Sequence, residues 1–137
     1  MQWKEHGSFE MKLQGNIMLL HVLGRWNVET TQHFVNAYQQ QMVAMIKQPW
    51  GQVTDLSQWE LSPPDIWEHI YGLARWMEEH NQVCEAFVCS LSIQKMLMKK
   101  RLETTPKVRK KFFTDTEPAL DWCRNELTET SSRTLFK

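Results

Sequence analysis

The sequence predicts a single α/β domain built on a mixed, mainly parallel five-stranded sheet with about four helices. Three observations lead there. Apolar residues recur at period two in some segments and at helical spacing in others, and the two kinds alternate along the chain. The run Ala86-Phe87-Val88-Cys89 lacks alternation, as expected of a strand covered on both faces. Gly15-Asn16 separates two apolar runs, as a two-residue hairpin turn does. The expected order is β-β-α-β-α-β-α-β-α, with its core from about 8 to 128 within a domain spanning 1–137.

Each element has a local reason. From Ser8 to Gln14, Phe9, Met11 and Leu13 face one way and Glu10 and Lys12 the other, a half-buried strand. Ile17 to Leu23 is a second, more apolar strand. Asn27 then caps a helix running to about Lys47, with Phe34, Val35, Tyr38, Met42, Met45 and Ile46 as its stripe, and Pro49 ends it. Gly51 to Leu56 is a short third strand, leaving Asp55 to Asp65 as the loop behind it. Ser62 and Asp65 resemble a capping box with Pro63 at the first helical position. The second helix extends to about His80 on Ile66, Ile70, Leu73, Ala74 and Met77. Val83 to Leu91 is the fourth strand, Ile93 to about Glu103 a basic helix, and Arg109 to Thr114 the last strand. Asp115 caps a final helix burying Ala119, Leu120, Cys123 and Leu127, with a frayed polar tail after Glu129.

Composition narrows the function classes. Of 137 residues, 42% are hydrophobic, enough for a core, and the net charge is zero, so no global field draws nucleic acid or membrane. Between Lys95 and Lys111, however, eight basic residues meet one acid, Glu103; that window carries +7 and the rest of the chain −7. The window reads as a solvated face rather than a nucleic-acid site, because no aromatic is interleaved for base stacking. The cysteines Cys84, Cys89 and Cys123 form no pattern, and Cys84 and Cys89 fall on opposite faces of one strand. Free thiols imply a reducing, cytoplasmic setting. Met1 to His6 carries no apolar signal core, and no apolar run is long enough for a transmembrane segment.

No catalytic signature appears. His6, His21, His33, His69 and His80 are scattered, and no phosphate loop or Gly-x-Ser-x-Gly is present. The expectation is no enzyme and no cofactor. Asp65, Glu68 and His69 share a helical turn but lack the partners of a metal motif, so they read as a solvated face.

Two stretches carry a family resemblance: Val53-Thr54-Asp55-Leu56-Ser57, and Phe112-Phe113-Thr114-Asp115-Thr116-Glu117-Pro118-Ala119-Leu120-Asp121-Trp122. With the element order, they resemble the STAS superfamily, and within it the SpoIIAA-like proteins related to anti-sigma-factor antagonists, over roughly Phe9 to Leu127. In such antagonists a kinase phosphorylates a serine at the start of the second helix. Here that region reads Ser62-Pro63-Pro64-Asp65, without the expected acceptor. The resemblance implies a non-catalytic regulatory module that binds a protein partner or forms a homodimer. Its contact rim would comprise Asp55, Ser57, Trp59, Ser62, Asp65 and Trp67, with the loops Gly24 to Asn27 and Ser90 to Ser92 beside it. The bland alternative for these polar residues is ordinary capping and turn chemistry, and for Trp59 and Trp67 a widened core. A second reading is a small apolar or anionic-lipid ligand, which the Sec14-like architecture of STAS domains suggests, with Ser92, Lys99 and Lys100 as anion contacts. A third is a vestigial phospho-switch on Ser57 or Ser62.

Overall fold

Strand formation at the N-terminus follows the alternation of small hairpin arms. In a computed structural model describing residues 7–60, 62–89 and 92–135, without the side chains of 92–95, 97 and 132–135, β1 spans Ser8–Gln14 and β2 Ile17–Gly24. They pair antiparallel across Gly15-Asn16, where Gly15 takes a φ of 59° that costs a glycine little. The remaining elements are α1 (Val28–Gln41), β3 (Trp50–Trp59), α2 (Trp67–Glu79), β4 (Gln82–Val88), α3 (Ser92–Glu103), β5 (Arg109–Phe113) and α4 (Thr116–Leu135). The sheet order is β1-β2-β3-β4-β5, and every pair after the first is parallel.

That order dictates the layers. Each crossover steps to the next strand in the same direction, and right-handed crossovers then place their helices on one face. Accordingly α1, α2 and α3 pack on one side, where Phe34, Tyr38, Leu73, Met77 and Met98 meet Met18, Leu20, Leu56 and Phe87. Helix α4 need not return to the sheet, and it covers the other side. There Ala119, Leu120, Cys123 and Leu127 meet Val53, Cys84, Ala86 and Val88. Gly51 is needed on that side: a Cβ there would lie 2.7 Å from Cys84 Sγ. Cys84 and Cys89 do point to opposite faces, in separate core clusters, and all three cysteines are free and buried.

Several boundaries differ from the expected ones. Helix α1 ends at Gln41, and a 3-10 turn at Met45–Lys47 follows. Met42 and Met45 are both buried; a tightened turn sets residues three apart on one side. Its start is as expected, with Asn27 Oδ1 accepting from the Thr30 N–H at 2.9 Å. Strand β3 runs on to Trp59, so Asp55 to Trp59 is strand and not loop. Gly24 pairs with Trp59, and the Glu60 N–H donates to Gly24 O at 3.0 Å, which holds this extension against β2. The tail after Glu129 is helical to Leu135 rather than frayed: Thr130 Oγ1 donates to Glu126 O and accepts from Arg109 Nη2, both at 2.9 Å.

Candidate functional site: a rim and the cavity beneath it

The start of α2 is built differently from a capping box. Pro63 is extended (φ −58°, ψ 153°), Pro64 to Ile66 form a 3-10 turn, and α2 proper begins at Trp67. Ser62 does not cap it. Its Oγ accepts from the Trp26 N–H at 3.0 Å and donates to Glu60 O at 3.2 Å, tying the chain before α2 to the loop after β2. The reason lies in Trp26, whose buried ring anchors that loop by donating from Nε1 to Ser8 O and Leu23 O, both at 3.2 Å. Its neighbouring backbone N–H then needs an acceptor.

The six rim residues do not form one surface. Asp55 points to the α4 side of the sheet, where its Oδ2 lies 3.8 Å from His21 Nε2 and its Oδ1 accepts from the Ser57 N–H at 2.9 Å. Ser57 and Asp65 are exposed. Trp59 and Trp67 are half-buried on the opposite side of the sheet, ring edge to face at 5.8 Å, and Trp67 stacks on Tyr71. Neither forms an exposed aromatic patch.

The two tryptophans instead border a cavity of about 80 Å³ between the sheet and α2. Leu20, Val22, Phe34, Leu56, Ala74 and Phe87 supply apolar wall. Of the lining residues, those reaching solvent are Trp59, Trp67 and Ile70, so the mouth lies between the end of β3 and α2.

The cavity's other end is polar. Gln52, Thr54, Glu85 and Arg101 line it, all buried. Arg101 Nη2 donates to Glu85 Oε1 at 2.8 Å, and Gln82 Nε2 donates to the same oxygen at 3.1 Å. Glu85 Oε2 accepts from Thr54 Oγ1 at 2.7 Å and Gln52 Nε2 at 3.3 Å. Gln52 Oε1 accepts from the buried Tyr38 hydroxyl. Burial and the Glu85 carboxylate push the Tyr38 hydroxyl well above its ordinary 10.0, with Arg101 opposing. Such a network holds a buried ion pair at tolerable cost because nearly every lone pair is met.

Sequence reading missed these four residues. Gln52 and Thr54 stand two apart in an apolar strand, and Glu85 interrupts another, which is the available signal. Arg101 carried none, being one of eight cations in a basic run. The run is not a single solvated face. Arg101 is buried in an ion pair, Lys110 Nζ donates to Thr105 O and to Val108 O, and Arg109 pairs with Glu126. Lys99 and Lys100 are exposed, with Lys100 Nζ 5.3 Å from the Tyr71 ring centroid, and neither lines the cavity. Ser90, Leu91 and the Ser92 side chain lie outside the described residues. Among the described residues no group of three His, Cys, Asp or Glu side chains is placed to hold a metal ion, and no helix is long and apolar enough to cross a membrane.

No family model and no curated protein matches the chain. Solved structures do. An uncharacterised DUF3478-family protein with a SpoIIAA-like fold from Shewanella loihica superposes with a TM-score of 0.69 at 17% identity, over 90% of this chain and 98% of that one. The fold is SpoIIAA-like. An anti-sigma factor antagonist from Mycobacterium paratuberculosis superposes with a TM-score of 0.60 at 11% identity, over 90% and 99% of the two chains. The SpoIIAA-like fold accounts for the hairpin followed by three parallel crossovers, and the expected architecture stands.

Proposed function

We propose that the protein is a non-catalytic regulatory module that binds a protein partner, or a second copy of itself, along the edge formed by the end of β3 and the start of α2. The observation that carries this reading is the chemistry of the antagonist switch position. Pro63 and Pro64 have no hydroxyl, and the Ser62 hydroxyl is engaged by Trp26 and Glu60. The edge presents Ser57, Glu60 and Asp65 to a partner, with no free acceptor hydroxyl at the antagonist switch position itself. The SpoIIAA-like fold, seen also in an anti-sigma factor antagonist, supports it. Dispersal of the basic window argues against nucleic acid as the partner. The buried free thiols fit a cytoplasmic setting.

The test is an affinity capture from the native host, with the purified protein compared by sedimentation velocity. Ser57→Arg with Asp65→Lys should abolish the specific partner or the self-association while leaving the melting temperature unchanged. Glu117→Lys, on exposed α4, should not. Identical capture and sedimentation for all three proteins would refute the reading.

A second reading, a small apolar ligand, is favoured by one observation: Trp59 and Trp67 border an internal cavity instead of forming a surface patch.

A further inference from the structure

The charge pattern of one sheet edge is complementary to itself. Strand β1 lies at the end of the sheet and pairs with β2 alone among the described strands. Gln14 and Ile17 flank the two-residue turn, so they exchange both backbone hydrogen bonds, and the pattern alternates from there. Gln14, Lys12, Glu10 and Ser8 therefore turn their backbone groups toward β2. Leu13, Met11 and Phe9 turn theirs outward, a row that another strand can pair with.

The side chains restrict what that strand can be. Phe9 packs on Phe34 of α1 and Met11 on the same core, while Leu13, which shares their face by alternation, is exposed. Glu10 and Lys12 stand on the opposite face, both exposed. Glu10 Oε2 lies 3.9 Å from His21 Nδ1, longer than a hydrogen bond, so that contact does not fix the carboxylate. Charges on an edge strand ordinarily bar edge pairing. Here an antiparallel twofold axis at Met11 sets Glu10 opposite the second copy's Lys12, and Lys12 opposite its Glu10. The outward backbone groups match as well. Met11 meets the second copy's Met11, and Phe9 its Leu13, as hydrogen-bonded pairs, which puts Glu10 and Lys12 at the closer non-hydrogen-bonded positions. Gly7 falls opposite Gly15 at both ends, so no side chain crowds the ladder there. Moving the axis to Glu10 sets glutamate against glutamate, and moving it to Lys12 sets lysine against lysine. Of these three axes only the one at Met11 pairs unlike charges.

We propose that the outer edge of β1 binds a second copy of this chain, antiparallel about Met11, and joins the two five-stranded sheets into one. The same two charges that bar the neighbouring registers admit this one. The interface goes beyond the partner reading above and does not rest on it, because it uses a different surface from the end of β3 and the start of α2.

The test is sedimentation velocity of the full chain with charge reversals at the two exposed positions. A concentration-dependent dimer is expected. Glu10→Lys alone, or Lys12→Glu alone, exchanges two attractive pairs for two like-charged ones and should weaken the dimer about tenfold or more. The two reversals together restore complementarity and should return the dissociation constant to within about threefold of the parent. Hydrogen exchange should slow with concentration at the Phe9, Met11 and Leu13 amides, while those of Glu10 and Lys12, already bonded to β2, keep their rates. Ser57→Arg with Asp65→Lys should leave this dimer intact. A chain still monomeric at about 100 μM, a dimer indifferent to either single reversal, or a double reversal that fails to rescue it would overturn the proposal. A dimer lost in Ser57→Arg with Asp65→Lys but kept in Glu10→Lys would also overturn it, while supporting self-association at the β3–α2 edge.

Discussion

Tyr38 shows how one side chain ties the polar network to stability. It is wholly buried, donates to Gln52, and holds its proton far more tightly than an exposed tyrosine, first through burial and then through Glu85. A group whose folded pKa is raised contributes stability that is present below the unfolded value and falls away as pH rises through and above it. Tyr38 therefore stabilises the fold up to its ordinary value of 10.0 and progressively less at higher pH. Tyr38→Phe leaves the Gln52 oxygen unmet, at a cost of about 1–3 kcal/mol near neutrality. Urea midpoints measured from about pH 8 to about pH 11 should fall less steeply in the variant than in the parent. Cys84, raised by its contact with Cys123 and by burial, and Tyr71, raised by burial, supply the slope that remains in both, with the lowered Lys110 opposing them. An identical slope would mean that the phenol already ionises in the folded state. At this scale the sequence was legible only in part. Tyr38 was readable as a core position from its helical spacing, but nothing local announced that Gln52, Thr54, Glu85 and Arg101 would converge on it. Those residues come from two strands and a helix whose sequence separation hides their proximity.

Helices and strands were easier to place than their ends. Element type follows from periodicity, a property of ten or so neighbours, whereas an end depends on what pairs or packs there. Strand β3 continues through Ser57 and Gln58, both exposed, because β2 is alongside to pair with it. The α2 start illustrates the same point. Ser62 has the right residue type and spacing for a cap, yet its hydroxyl serves a backbone N–H thirty-six positions away. Ser62→Ala should therefore disturb the β2–α1 loop and spare α2. The cost should be about 1–2 kcal/mol, and hydrogen exchange should quicken at the Trp26 amide while the α2 amides keep their rates. Faster exchange throughout the first turns of α2 would instead restore Ser62 to a capping role.

For the whole molecule, one helix has to cover what three others cannot. The directional sheet order sends every crossover to the same face, so among the described helices α4 shields Val53, Cys84, Ala86 and Val88. Leu127 is buried against that surface, and Leu127→Ala should cost about 2–5 kcal/mol, read from the urea midpoint. Loss of less than about 0.5 kcal/mol would indicate that α4 packs only loosely. Element order, the class of fold, the buried stripes of the helices and the opposite facing of Cys84 and Cys89 were all legible in the order of residues, because each rests on short-range periodicity. It took the packed fold to set Arg101 inside and Lys99 and Lys100 outside, to turn Ser62 toward Trp26, and to bring Trp59 and Trp67 to the border of a cavity. Those outcomes depend on which surfaces meet across the sheet, and a solvated cation and a buried one are the same letter until the acid that pairs with it is in place.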